Sequence, residues 1–445
     1  MRVLSGLMFF PRGGSAHVAR ALAEELPAHG WEVTLVSGSL GGGGVGDAER
    51  FYAGLDVRTV DFRAGDAPMH PSYEDRPGAP DRVFATVDDL EYEAHVAAWA
   101  AALERAGAAG FDVLHLHHLT PLHEAAARVT PEVPVVAHVH GTELLMLERI
   151  AAGAPATWTH AGAWAARLRA WAGRAERLIL LSASQLPRVA RLLGPEVAAR
   201  CVVSPNGFDP VTFAPRAVDR AAHWREHLVT SPRGWRPGAG EGSVRYTEAE
   251  IAALAAGPVL LSVGRFTEVK RMGLLVRAFA RARRESAVPA ALVLLGGHPG
   301  EWEGEHPWEA VRASGAPDVF LAGWHEHDTL AEFLNAADAT VLASVREQFG
   351  LVLVEGMACG LPAIAVDRFG PAEIVEDGRT GWLVEPDDEA ALAAAMRDAI
   401  ERPDERARRG ALARAAAVER WSWPAIAGRL SGVLAEAAAR PLAPR

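Results

Sequence analysis

The feature that most constrains this chain is a repeated alternation of short, continuous apolar runs with amphipathic helical stretches. Runs rich in Val, Leu and Ile occupy Arg2–Phe10, Trp31–Ser37, Asp112–His117, Val133–His140 and Arg177–Ser182. Ala/Leu/Arg segments of helical periodicity separate them, as at Ala16–His29 and Ala161–Ala172. A strand that is apolar on both faces must be covered on both faces, so the pattern predicts parallel sheets with helices on either side. The series then restarts with strands at Val259–Val263, Ala291–Leu295, Val319–Gly323, Ala339–Ala343 and Pro362–Val366, and helices at Met272–Glu285, Thr329–Ala336 and Glu389–Glu401. Two series predict two α/β domains joined near Ser204–Phe213. A last helical segment, from Trp421 to about Ala439, can cross back to the first domain.

Two stretches break the rhythm. Gly41–Gly46 follows the second strand, but no apolar helix opens at it, so it reads as a flexible loop rather than a dinucleotide fingerprint. Residues 216–256, rich in Pro, Gly and Arg around Ser231–Gly242, read as a partly mobile insertion. Its Trp224 and Trp235 can contact an acceptor or partner, or simply belong to a solvated loop.

Composition narrows the function. With 445 residues, 49% of them apolar, the chain can bury sizeable cores. A net charge of −11 excludes a broad basic surface for nucleic acid, so an anionic ligand needs a local positive site. Two cysteines, Cys201 and Cys359, make neither a disulfide framework nor a metal cluster and fit a reducing cytoplasm. The N-terminus does not read as a secretory leader, and no apolar run reaches the roughly 18 residues of a membrane span. Among 45 basic residues only Lys270 is a lysine. Such a bias fits a GC-rich genome in which lysine drifts to arginine, and it marks Lys270 as a place where arginine does not serve.

That lysine lies in Gly264-Arg265-Phe266-Thr267-Glu268-Val269-Lys270-Arg271, where a strand ends, a glycine turns the chain and a helix begins near Met272. Ligands of open parallel sheets sit at the carboxyl ends of strands. There the planar fork of Arg265 suits a phosphate pair, Lys270 adds a compact charge, and a helix start adds N–H groups. A second signal is Glu347-Gln348-Phe349-Gly350-Leu351-Val352-Leu353-Val354-Glu355. Two carboxylates eight positions apart straddle a loop-to-helix junction, where they can accept hydrogen bonds from paired sugar or ribose hydroxyls.

Together these motifs resemble the retaining glycosyltransferases of family 4, of the GT-B fold. The matching elements also include the Gly13-Gly14 turn, His140-Gly141-Thr142, Pro205-Asn206-Gly207-Phe208-Asp209, Gly370-Pro371-Ala372-Glu373 and Gly378-Arg379-Thr380-Gly381. The resemblance implies two Rossmann-like domains facing each other across a cleft. Residues 1–205 would form an acceptor-binding domain and 206–423 a nucleotide-sugar-binding domain, with a helix at about 424–445 returning to the first. It implies that Arg265 and Lys270 hold the donor diphosphate and that Glu355 accepts the ribose hydroxyls. Glu347, with the N–H groups of Phe349, Gly350 and Leu351, would hold the transferred sugar. Gly14 would bring its backbone near the phosphates, Trp324 and His325 would meet the base, and His140 would face the donor sugar near the reacting centre.

His115, His117 and His118 form a further cluster. His115 and His117 alternate onto one strand face while His118 points away, and no carboxylate or cysteine accompanies them at ligand spacing. A packed structural role is the first reading, an acceptor pocket shared with Thr142 the second, and a metal site the third. In the second domain no Asp-x-Asp motif stands near a strand end, and Asp387-Asp388 reads as a helix cap. No metal or cofactor is therefore expected beyond the nucleotide sugar.

The expected activity is transfer of a hexose or N-acetylhexosamine, with retention, from a nucleoside diphosphate sugar to a hydroxyl of a small soluble acceptor. UDP is the first choice of nucleotide, with GDP and ADP open. Natural-product or thiol-cofactor assembly in an actinobacterial cytoplasm, by a monomer or homodimer, fits by analogy. Loop acids such as Asp66, Glu74 and Asp75 can meet a cationic acceptor, and a lipid acceptor is not expected. The rival readings are a sugar-nucleotide epimerase on the same fold and a non-catalytic nucleotide-sugar-binding protein. A pyridoxal-phosphate phosphorylase would need its Schiff-base lysine where the diphosphate motif sits.

Overall fold

The computed structural model describes residues 1–439 apart from Arg12, Val45 and 75–80. The chain divides into two compact units, Met1–Asn206 with Trp423–Arg445, and Gly207–Ser422. Asp75 and the last residues of the expected terminal helix lie outside the described residues.

The first unit holds a seven-stranded sheet. Its strands are β1 (Arg2–Leu7), β2 (Glu32–Ser39), β3 (Val57–Asp61), β4 (Val113–His117), β5 (Val135–His138), β6 (Arg177–Leu180) and β7 (Cys201–Val203). They run in the order β3-β2-β1-β4-β5-β6-β7, all parallel. Every residue of β4 is buried, as a strand covered on both faces requires. One face packs Val3, Val113, Val136 and Ile179 against Ile426, Leu430 and Leu434 of the C-terminal helix Trp423–Ala439. Trp31 Nε1 also donates to Ser431 Oγ at 3.0 Å. The other face carries an aromatic core that includes Phe84, Trp99, Trp164 and Trp171.

The second unit holds a six-stranded sheet made of β8 (Val259–Val263), β9 (Ala291–Leu295), β10 (Val319–Gly323), β11 (Ala339–Leu342), β12 (Ala363–Val366) and β13 (Gly381–Val384). Its order is β10-β9-β8-β11-β12-β13, again parallel. The helices Met272–Glu285 and Glu389–Glu401 stand as the periodicity predicts, and Asp388 caps the latter by accepting from the Ala391 N–H at 2.8 Å. In each sheet the strand order reverses once, between β1 and β4 and between β8 and β11. Such switch points leave a crevice at the carboxyl ends of the strands.

The 216–256 segment corrects its sequence reading. It forms the helix Arg220–Arg225, a π-turn over Glu226–Thr230 and a return alongside the edge strand β10. Trp224 and Trp235 are each 1% exposed, so neither is free to meet an acceptor or a partner. Trp235 Nε1 donates to the Gly297 carbonyl at 2.7 Å, and Tyr246 Oη accepts from the Leu321 N–H at 2.9 Å. Gly323 (φ +75°) lies so close to Arg233 that a Cβ there would fall 2.1 Å from the Arg233 carbonyl oxygen. The segment covers a sheet edge that would otherwise expose unpaired backbone groups.

Candidate functional site

In the second unit the expected donor residues gather at the carboxyl ends of β8, β10 and β11. Arg265 follows β8 and is exposed, with no ion-pair partner among the described residues. Lys270 ends a short 3-10 turn, and Arg271, in the left-handed region at φ +55°, opens the helix Met272–Glu285. Lys270 Nζ forms an ion pair with Glu347, from the loop after β11. The two loops are tied by a hydrogen bond from the Val345 N–H to the Val269 carbonyl, 3.0 Å.

After Glu347 the chain turns at Gly350 (φ +101°), a conformation that suits glycine, and enters the helix Leu351–Ala358. Phe349 is buried in the core and anchors the turn. The first N–H groups of that helix lack intrahelical partners and point back toward the loop. Gly370 packs so close that a Cβ there would sit 2.2 Å from the Phe349 carbonyl oxygen, which holds the turn from the other side. Glu355 is 2% exposed, and its Oε1 lies 2.7 Å from His327 Nε2. Burial raises its pKa above the usual carboxylate value, and the His327 contact opposes that shift. His327 was not foreseen; it follows Trp324-His325 in the same loop.

Trp324 is 39% exposed after β10, as a stacking face for a base would be. His325 Nε2 lies 3.2 Å from the Ala322 carbonyl, and its ring meets that of His227 from the 216–256 segment at 4.8 Å. Burial lowers the His325 pKa to about 4. This imidazole is therefore neutral, held between strand end and insertion.

In the first unit a pocket of about 280 Å³ opens at the carboxyl ends of β1, β4 and β5, lined among others by Gly14, Tyr73, His118, His140, Thr142 and Asn206. Gly13 and Gly14 begin the helix Gly14–Glu25, and a Cβ on either meets nothing within 4 Å. These glycines leave an open approach to a helix N-terminus rather than solving a packing problem. His140 is partly buried, and its Nε2 lies 3.0 Å from His117 Nδ1. Its pKa falls well below 6.5, through burial first and then the neighbouring histidines, which favours the neutral imidazole.

The histidine reading changes here. His118, read as pointing away, lines the pocket from the left-handed region (φ +62°). Its Nδ1 donates to Glu143 Oε1 at 2.7 Å. His115 and His117 do not line the pocket; they are 1% and 0% exposed, with His138 of β5 beside them. Neither is open to an acceptor, and of the three clustered histidines it is His118 that reaches the pocket. Glu143, wholly buried in the first turn of the helix Thr142–Gly153, was also missed. An acid in the first turn after a strand-end glycine is the signal that marks it.

Residues 12–211 match the family described as Glycosyltransferase Family 4, and residues 248–416 match Glycosyl transferases group 1. The chain is a family-4 glycosyltransferase of the GT-B type. The chain is 29% identical to glycogen synthase of Mycobacterium tuberculosis over 321 residues, which cover 71% of this chain and 66% of that one. It is 31% identical to D-inositol 3-phosphate glycosyltransferase of Kineococcus radiotolerans over 57% of this chain and 55% of that one. The glycosyltransferase thus aligns with just under two thirds of the first relative and about half of the second. In fold it matches the Anabaena HepE protein in complex with UDP, with a TM-score of 0.67 and 18% identity over 98% of this chain and all of that one. No helix among the glycosyltransferase's described residues is long and apolar enough to cross a membrane.

Proposed function

We propose that this glycosyltransferase moves a hexose or N-acetylhexosamine from a nucleoside diphosphate sugar, UDP first, to a hydroxyl of a small acceptor, retaining anomeric configuration without a metal. The observation that carries this reading is the Lys270–Glu347 ion pair at the switch point of the second sheet, in the same loop and helix as Glu355. An ammonium has three donors, so Lys270 can keep Glu347 and still reach a phosphate oxygen. Glu347 thereby aims the lysine, and the lysine holds Glu347 where it can accept sugar hydroxyls.

In the reaction the bond between the anomeric carbon and the phosphate oxygen breaks, and the acceptor oxygen bonds to that carbon on the same face. The acceptor proton passes to the departing phosphate. Arg265, Lys270 and helix N–H groups stabilise the charge that grows on the leaving diphosphate, which is preorganised electrostatic stabilisation. Glu355 accepts the ribose hydroxyls, and Trp324 and His325 border the base. In the first unit, neutral His140 donates a hydrogen bond to a sugar hydroxyl, while Gly14, His118 and Thr142 line the pocket offered to substrate.

A thermal-shift series with UDP, GDP and ADP tests the donor assignment, because a ligand that binds only the folded state raises its stability. UDP is expected to give the largest shift, and Lys270→Ala to lose most of it. Absence of stabilisation by any of the three nucleotides would overturn the reading. Incubation with donor alone separates transfer from epimerisation.

A further inference from the structure

His115 and His117 of β4 and His138 of β5 form a second constellation outside the pocket. Parallel pairing sets His117 directly beside His138, and the two-residue strand period puts His115 on the same face. They are 1%, 0% and 3% exposed. Their neighbours are one another: His115 Nε2 lies 3.2 Å from His138 Nδ1, and His117 and His138 stack at 5.1 Å. This arrangement leaves His115 Nδ1, His117 Nε2 and His138 Nε2 buried without a hydrogen-bond partner. Of these, His117 Nε2 can meet a guest directly, while the nitrogens that already meet across the strands are His115 Nε2 and His138 Nδ1.

We infer that His115, His117 and His138 bind a divalent transition-metal ion of the zinc class, as a structural site that ties β4 to β5 beneath the pocket. One ring nitrogen from each lies within 4.8 Å of the other two. The 3.2 Å between His115 Nε2 and His138 Nδ1 is close to the separation of two ligands on a tetrahedral ion with bonds of about 2.0–2.1 Å. His117 joins through Nε2, since its Nδ1 faces His140 Nε2 at 3.0 Å. That outer contact is the kind that orients a ligating imidazole. An all-imidazole set suits zinc, copper or nickel rather than magnesium or calcium. Glu143, wholly buried, accepts from His118, whose ring centroid lies 4.4 Å from that of His140. His140, which lines the pocket, stacks on His138 at 4.6 Å. The ion has no part in holding the diphosphate, which belongs to the second unit.

The test is metal content of the untagged full chain, expressed with added zinc, and of the same chain unfolded and refolded with zinc or cobalt(II). About one zinc per chain is expected by elemental analysis, with the visible absorption of tetrahedral cobalt(II) in the refolded form. His115→Gln and His138→Gln should each fall to about a tenth of an equivalent or less, and His29→Gln, exposed elsewhere in the unit, should match the parent. Less than about a tenth of an equivalent in the parent protein on both routes would overturn the site, as an enclosed water in its place would give. So would unchanged binding in both glutamine variants. Should the variants fail to fold, the parent stoichiometry and the cobalt spectrum still answer the question.

Discussion

Lys270 and Glu347, 77 residues apart in sequence, form an ion pair between the loops that follow the adjacent strands β8 and β11, with side chains only 18% and 21% exposed. A partly exposed pair of this kind contributes at most about 1 kcal/mol to stability, so stability alone does not explain an ammonium at this place. Its position where a leaving diphosphate would gather charge does. Lys270→Ala is therefore expected to lower kcat/KM by roughly a hundredfold to a thousandfold while changing unfolding free energy by about 1 kcal/mol or less. Lys270→Arg should recover little, because a planar fork does not replace a compact charge held by Glu347. Steady-state kinetics beside urea unfolding separates the two effects; a near-normal kcat/KM in the alanine variant would sink the assignment.

Glu355 is the buried acid of the same loop and helix, and under the proposed function it serves nucleotide affinity rather than the chemical step. Hydrogen bonds from ribose hydroxyls to a charged group contribute about 1.5–3 kcal/mol. Glu355→Ala should thus weaken UDP binding by roughly tenfold to a hundredfold in calorimetric titration, with a smaller change in kcat at saturating donor. Equal affinity in the variant would remove Glu355 from the ribose contact.

The strands that could be read from the sequence were those whose burial is continuous. Val259–Val263 and Ala291–Leu295 fall where the apolar runs place them. Val57–Asp61, Cys201–Val203 and Gly381–Val384 were missed because short strands with fewer apolar residues leave little periodic signal. In the sites, local motifs were legible and cross-strand partners were not. Lys270 stood out by composition, but its partner Glu347 comes from another loop. The His115/His117 pair was visible, but His138 joins it only through sheet register. Trp224 and Trp235 were misread because Pro/Gly-rich surroundings suggest solvent, whereas the edge of β10 gave that segment something to cover.

That burial makes the 216–256 segment part of the second unit's core. Trp235→Ala should cost about 3–5 kcal/mol, the range for emptying a buried aromatic site, and it also orphans the Gly297 carbonyl. Arg236→Ala, on an exposed neighbour, should stay within about 0.5 kcal/mol of the parent. Chemical denaturation reads both. A Trp235 variant of normal stability but altered acceptor KM would restore the picture of a mobile substrate loop.

Acid stability follows from histidines that the fold keeps neutral. His95, His123 and His306 are 0%, 5% and 0% exposed, and burial lowers their pKa from 6.5 to about 4, about 3 and about 4. Unfolded chains take up these protons below pH 6.5, and the folded protein does so only near its lowered values. Their contribution is therefore complete above pH 6.5 and is lost as pH falls toward about 4, at roughly 1.4 kcal/mol per pH unit for each group. Carboxylates held low by arginine, such as Glu93 beside Arg128, act only below their ordinary value of 4.5 and leave this window clear. His306 offers the cleanest probe, because its Nδ1 accepts from the Trp308 N–H at 3.1 Å to cap the helix Pro307–Ser314, a task asparagine also performs. His306→Asn should keep most of the stability at pH 7.5 and lose about 1.4 kcal/mol less than the parent on going to pH 5.5. Urea transitions at the two pH values measure the difference, and equal losses in parent and variant would show that folding does not lower the His306 pKa.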